Sequence, residues 1–230
     1  MAIRVVLADD HRMFREGLRR VLEESGQVEV VGEAENGLEA VERAAEVRPD
    51  AVVMDVGMAL MNGVEATSQI ARKKYSRVVV LSIYEDETTV TQALRAGALG
   101  YVVKSSAGRE LIDALQAVLK GQVFLSPSLP QALRDTVINH RRGPRSGAGP
   151  LAALTRRQRQ ILQLLAEGHT NKEIAGLLGL AAETVKSHRK GLMSALGVRG
   201  VASLTQIALQ YGLVRRPERP VPPPEEGVRS

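Results

Sequence analysis

Asp50-Ala51-Val52-Val53-Met54-Asp55-Val56-Gly57-Met58-Ala59-Leu60-Met61-Asn62-Gly63 is the stretch whose reading decides the fold. An apolar run, Ala51 to Met54, stops at a carboxylate and passes into a loop carrying Gly57 and Asn62-Gly63. Short, continuous apolar runs mark strands of a parallel sheet, because helices cover both faces. In such sheets the chemistry collects at the carboxyl ends of the strands, where Asp55 stands. A carboxylate placed there can act as a nucleophile and form an acyl-phosphate. A strand ending in Asp also suits a turn or a helix cap, so the flanking sequence has to decide.

The flanks repeat the pattern. Ile3–Ala8, Val28–Gly32, Arg77–Ser82 and Leu99–Val103 read as further strands. Between them, Phe14, Leu18, Val21 and Leu22 recur at helical spacing, and Ser25-Gly26 ends that helix. Leu38–Val47, closed by Arg48-Pro49, then Val64–Lys73, Asp86–Ala96 and Arg109–Lys120 supply the other helices. Five strand–helix units predict an α/β fold with a five-stranded, parallel, doubly wound sheet and right-handed crossovers.

Such a sheet points all its strand ends at one edge, which collects Asp9, Asp10, Asp55, Ser82 and Lys104. Three carboxylates drawn together repel one another unless a cation intervenes. An oxygen-only donor set, with no His or Cys, suits Mg2+, which needs few protein ligands. Lys104 and the Ser82 hydroxyl can then face the oxygens of a transferring phosphoryl group. The plainer alternative makes Asp9-Asp10 a helix cap and Lys104 a surface charge. A dehalogenase-like phosphatase uses similar parts but needs a second Asp two positions after the nucleophile, where Gly57 stands here.

Composition narrows the remaining choices. The 230 residues include no Cys and no Trp, so disulfides and thiolate metal sites are excluded. The N-terminus reaches Asp9-Asp10 too soon for a signal peptide, and no apolar run approaches a membrane span, so a soluble cytoplasmic protein without a membrane partner is expected. Residues 1–125 carry 15 Lys/Arg against 19 Asp/Glu, a net of −4, whereas residues 126–214 carry 12 against 4, a net of +8. An acidic half followed by a basic half predicts two domains, the second a candidate for nucleic acid.

After Gly121 the pattern decays into a breaker segment at Ser126–Pro130, a possible short helix at Gln131–Asn139 and a basic, Gly/Pro-rich tether at His140–Pro150. A helical unit follows. Thr155-Arg-Arg-Gln158 and Thr170-Asn-Lys-Glu173 are capping boxes that open two helices. Gly179-Leu180 turns the chain into a third helix, Glu183–Leu196, which carries Lys186, Ser187, Arg189 and Lys190, and Ala202–Tyr211 is a fourth. Two helices joined by a Gly-containing turn, the second bearing bases, fit a helix-turn-helix. His169 and His188 fit turn and helix-surface positions better than metal ligation. The tail from Arg215 is too Pro-rich to pack.

Ala8-Asp9-Asp10-His11, Met54-Asp55-Val-Gly-Met58, Met61-Asn-Gly-Val-Glu-Ala-Thr67, Val80-Leu81-Ser82 and Gly100-Tyr101-Val-Val-Lys104 resemble the receiver domain of two-component response regulators, over residues 1–122. Leu154-Thr-Arg-Arg-Gln-Arg159, Ala166–Ala175 and Thr184-Val-Lys-Ser-His188 resemble the LuxR-type DNA-binding domain, over residues 151–214. Together, with a linker at 123–150 and a disordered tail at 215–230, they resemble the NarL/FixJ arrangement. That resemblance implies a DNA-binding regulator rather than an enzyme. Asp55 would accept a phosphoryl group from a sensor histidine kinase. Asp9, Asp10, Asp55 and the Gly57 main-chain carbonyl would hold Mg2+, and Ser82 and Tyr101 would act as switch residues, Tyr101 turning inward on phosphorylation. Thr184, Lys186, Ser187, Arg189 and Lys190, with Lys172, would contact double-stranded promoter DNA, while Val185 anchors the reading helix in its core. The phosphorylated protein would be a homodimer, and the docked form would cover the reading helix. The rival reading is a phosphorylation-independent DNA-binding regulator whose receiver serves dimerisation or ligand sensing.

Five positions depart from the family pattern. Ala59 replaces the usual Pro, which predicts a less rigid loop. Ile83 places bulk beside the site, predicting restricted access for water. Ala181 stands at the N-cap of the reading helix, Gly191 in its middle and Ala195 where Lys is frequent, predicting a looser and less basic reader.

Overall fold

The computed structural model describes residues 2–142, 151, 154–211, 213 and 214. Residues 143–150 of the expected tether and the tail from 215 lie outside them. In chain order the first unit comprises β1 (Ile3–Ala8), α1 (Arg12–Glu24), β2 (Val28–Ala34), α2 (Gly37–Val47), β3 (Ala51–Asp55), α3 (Gly63–Lys73), β4 (Arg77–Ser82), α4 (Glu87–Ala96), β5 (Gly100–Val103), α5 (Ala107–Leu119), β6 (Phe124–Leu125) and α6 (Gln131–Arg142). The sheet is parallel throughout, in the order β2-β1-β3-β4-β5-β6.

The apolar strands alternate between two cores. Val5, Leu7, Val53, Val79, Leu81 and Val102 pack with Leu18 and Leu22 of α1 and Leu111, Leu115 and Val118 of α5. Val6, Val52, Met54, Val78, Val80 and Val103 pack on the opposite face with Ala40, Ala66, Ile70, Val90 and Ala93. Each fully buried Val or Leu contributes about 1.5–3 kcal/mol, so strands apolar on both faces are the anchor of the unit. The caps also follow from sequence: Asn36, Asn62 and Asp86 accept from the third backbone amide of α2, α3 and α4.

The sheet has six strands, not the five expected. β6 is only two residues long, too short to leave a periodicity, yet Leu125 lies opposite Tyr101 on β5. The segment read as linker therefore partly joins the first unit. Ser126 hydroxyl donates to Glu110, and Leu125, Leu129 and Val137 of β6, its following turn and α6 are buried in the same core as Val103.

The second unit comprises α7 (Arg156–Ala166), α8 (Asn171–Leu178), α9 (Ala182–Leu196) and α10 (Val201–Gln210). Its own core joins Ile161, Leu165, Ile174, Val185, Leu192, Leu204 and Ala208. Both expected capping boxes form, Thr155 with Gln158 and Thr170 with Glu173. Gly179 ends α8 at φ 62°, the left-handed conformation that turns the chain into α9. The second unit rests on the first through α7, which lies against the loop between β3 and α3.

Candidate functional site

Strand register assembles the site. Ala8 pairs with Met54, Asp55 with Leu81 and Ser82 with Val103. The residues just past β1 and β5 therefore sit beside the last residue of β3, at the point where the strand order reverses, the usual ligand crevice of such sheets. Lys104 Nζ lies 2.6 Å from Asp9 Oδ2 and 3.1 Å from Asp55 Oδ1, so one ammonium bridges two carboxylates that are only 3% and 2% exposed. It also stands 4.8 Å above the Phe14 ring. Asp10 is exposed, with its Oδ1 2.8 Å from His11 Nδ1. Asp9 is not a helix cap: its carboxylate accepts from the His11 amide at 2.8 Å, and His11 itself holds the cap position before α1, with no side-chain cap hydrogen bond.

Arg15 and His11 carry roles that the sequence reading did not assign. Arg15 is buried and donates to the Asp9 carbonyl at 2.5 Å, to Glu33 at 2.7 Å and to Glu35 at 2.9 Å. Desolvation works against its charge, but the hydrogen bonds to Glu33 and Glu35 outweigh it and hold the guanidinium above its ordinary pKa. Glu33 shows the converse: desolvation pushes its carboxyl up, and Arg15 with Arg19 brings it down below the usual range. The acid pair is thus fixed from behind by a buried charge network. The helical spacing of α1 marks Arg15 only as one more polar position.

On the other side, Ser82 is buried and its Oγ accepts from the Tyr84 amide at 3.0 Å. The Tyr101 ring is fully buried and its hydroxyl donates to the Tyr84 carbonyl at 2.7 Å. Burial pushes the phenol well up, against the hydrogen bond with Ser82. Tyr101 therefore already points inward, so no inward turn is left for phosphorylation to drive. Ile83, which follows Ser82, is 58% exposed. Gly57 lies half-buried in the loop two residues past Asp55.

Asp9, Asp10, His11 and Asp55 each bring a ligand atom within 4.8 Å of the others. Three of the four donors are carboxylates, so the set fits a hard divalent cation such as Mg2+. Chemically, the edge presents a carboxylate nucleophile at Asp55, an ammonium beside it and a hydroxyl at the next strand end, which together suit attack on an electrophilic phosphorus.

On the second unit, Thr184, Lys186, Ser187 and Lys190 of α9 are exposed, as is Lys172 on α8, and Arg189 is half-exposed. Val185 is fully buried and holds α9 in the core. Ala181 precedes α9 with no side-chain cap. At Gly191 a Cβ would stand 3.3 Å from Gln158 Nε2 of α7, the end of a flexible side chain rather than backbone. The expectation that docking covers the reading helix is not met, because the first unit contacts α7 and leaves the basic face of α9 in solvent. Among the described residues no single helix is long and apolar enough to cross a membrane.

Comparison with known proteins agrees with both halves. Residues 5–116 match the model of the response regulator receiver domain, and residues 152–208 that of the bacterial regulatory proteins of the luxR family. The chain is 41% identical over 197 residues to the transcriptional regulatory protein LiaR of Bacillus subtilis, covering 85% of this chain and 92% of that one. It is similar to the receiver domain of the response regulator NarL from Mycobacterium tuberculosis, with a TM-score of 0.51 and 37% identity, covering 53% of this chain and 98% of that one. It is also similar to the response regulator RcsB in complex with DNA, with a TM-score of 0.52 and 25% identity, covering 90% of this chain and 97% of that one.

Proposed function

This chain belongs to the DNA-binding two-component response regulators of the NarL/FixJ arrangement, and on that basis we propose that Asp55 accepts a phosphoryl group from a sensor histidine kinase. The observation that carries the reading is the Lys104 ammonium bridging Asp9 and Asp55 at the end of β3. In the transfer an Asp55 carboxylate oxygen bonds to phosphorus as the phosphorus–nitrogen bond to the kinase histidine breaks, and the imidazole leaves neutral, keeping the bond's electron pair and the proton its other nitrogen already carried. Asp9, Asp10, Asp55 and the Gly57 carbonyl would hold Mg2+. Bound there, Mg2+ supplies neutralisation of the negative charge on the acceptor and the phosphoryl oxygens. Lys104 steadies the same charge from the β5 side, and Ser82 donates its hydroxyl to a phosphoryl oxygen. Ser82 and Tyr101 respond together through the Tyr84 backbone, to which each is hydrogen-bonded.

The receiver, built on residues 1–122, controls a reader at residues 151–214. In the reader, Thr184, Lys186, Ser187, Arg189 and Lys190, with Lys172, meet promoter DNA, and phosphorylated chains pair as homodimers in the cytoplasm. Acetyl phosphate with Mg2+ should add one phosphoryl group to the protein, and Asp55→Asn or removal of Mg2+ should abolish it. Label persisting in Asp55→Asn would refute the assignment.

A further inference from the structure

We infer that His11 is a fourth side-chain ligand at the strand edge, and that it makes the site prefer divalent ions that favour imidazole, such as Ni2+ and Zn2+, over Mg2+. The inference rests on the acid pair and Asp55 forming the metal site. The strand ends by themselves present oxygen donors alone. The fold adds one nitrogen: His11 Nδ1 lies 2.8 Å from Asp10 Oδ1 and 3.4 Å from Asp9 Oδ1. His11 is one of the four residues whose ligand atoms all fall within 4.8 Å of one another. Adjacent ligands around an octahedral ion with bonds of about 2.1 Å stand about 3 Å apart. Both separations suit donors to a single ion.

The backbone fixes the ring in that place. The His11 amide donates to Asp9 Oδ1 at 2.8 Å, and its carbonyl accepts from the amide of the buried Arg15 at 3.0 Å. His11 holds the N-cap of α1, a position where Ser, Thr, Asp or Asn would accept a helix amide. The caps of α2, α3 and α4 do so through Asn36, Asn62 and Asp86. The His11 side chain makes no such bond and meets the acid pair instead. It stays 56% exposed, so an ion arriving from solvent can reach it. The stabilising cap is thus forgone at the position adjoining the acids.

Charge does not call for a fourth acid. Three carboxylates at −3 and the Lys104 ammonium at +1 leave the pocket at −2, which one divalent ion neutralises. A neutral imidazole adds a donor without adding charge. What it changes is the choice of ion. Mg2+ prefers oxygen, keeps several waters and sheds them reluctantly, so a further protein ligand gains it little. Ni2+ and Zn2+ take imidazole readily. The neutral ring has one proton, which rests on Nε2 while Nδ1 takes the ion. The acceptor site therefore fills with such an ion at concentrations far below those that Mg2+ needs.

The test uses the full chain without any phosphoryl donor, at one mildly alkaline pH where imidazoles are neutral. Binding of Ni2+, Zn2+ and Mg2+ is followed by calorimetry in wild type and in His11→Gln, which keeps a donor towards Asp10 but no imidazole. The variant should bind Ni2+ and Zn2+ at least about tenfold more weakly, a loss seen even when an outer partner of a metal ligand is removed. Its Mg2+ affinity should stay close to that of wild type. In wild type loaded with Zn2+, the two-bond proton–nitrogen spectrum should show His11 Nδ1 in the metal-bound range and Nε2 protonated. That spectrum needs no variant, so it decides even if His11→Gln fails to fold. Equal losses for all three ions would mean that His11 only positions Asp10, and would overturn the inference. Unchanged Ni2+ and Zn2+ binding in His11→Gln, or a His11 Nδ1 that Zn2+ leaves unshifted, would overturn it too. Asp10→Asn tests the underlying reading: if it alters the binding of no ion, the metal assignment itself falls, and the inference with it.

Discussion

The receiver and the reader treat charge in opposite ways. At the strand edge, Asp9, Asp55, Arg15 and Lys104 are buried or nearly so, and each is held by partners within the same domain. On the reading helix, Thr184, Lys186, Ser187 and Lys190 stand in solvent, and Lys186 is paired only loosely, 3.5 Å from Glu183 one turn away. The first arrangement is preorganised, so its members depend on one another for stability as well as chemistry. The second is complete only when phosphates and base edges arrive. Substitutions should therefore damage fold and function together in the receiver, and function alone on the face of α9.

The sharpest way to break this contrast is Arg15→Met. It leaves the Asp9 carbonyl without its buried donor and Glu33 with Arg19 alone, and should cost the receiver about 1–3 kcal/mol in urea unfolding. A midpoint unchanged from wild type would mean that the network contributes nothing. Next in size, Lys186→Ala should weaken promoter binding about tenfold and flatten its salt dependence, with the thermal midpoint kept within about 1 °C. A large midpoint shift would show that α9 is not the freely exposed surface described here. Ala181→Ser should then stabilise the reader by about 1 kcal/mol by supplying the missing N-cap, seen as a higher unfolding midpoint of that domain.

The smallest effect concerns pH at the domain contact. Burial pushes the Glu167 carboxyl up, against the Gln163 hydrogen bond and His169. A carboxyl raised on folding contributes stability that is fully present below its unfolded pKa and is lost as pH rises through its folded one. Acidification from neutral pH should therefore favour the native contact slightly, and Glu167→Gln should remove that slope. The expected difference is under about 1 °C in midpoint at pH 7, measured across a pH series by calorimetry.

What could be read from the sequence was whatever had a local cause. β1 and β4 match their expected bounds because unbroken apolar runs leave no other reading, and the capping boxes of α7 and α8 form because both partners lie within four residues. The strand-end acids and Lys104 were legible because topology alone brings them together. Arg15 and Gln163 were not, since each looks like an ordinary polar helix residue until its partners are known, and those of Gln163 lie about a hundred positions away. β6 was missed for its length.

The packing of α6 onto the receiver has a further consequence. With Val137 buried and α6 running to Arg142, only 11 residues separate the receiver's last helix from Leu154, the first residue of the reader's core. Even fully drawn out, that length of chain spans at most about 40 Å. A reader released from the β3–α3 loop thus stays within a molecular diameter of it, and its return is a unimolecular event at a high effective concentration. How often the two domains part is set by the chain itself and is the same in a cell holding ten copies or ten thousand. The pairing of two chains rises with abundance, so dilution should undo a dimer while leaving the contact of α7 with the β3–α3 loop untouched.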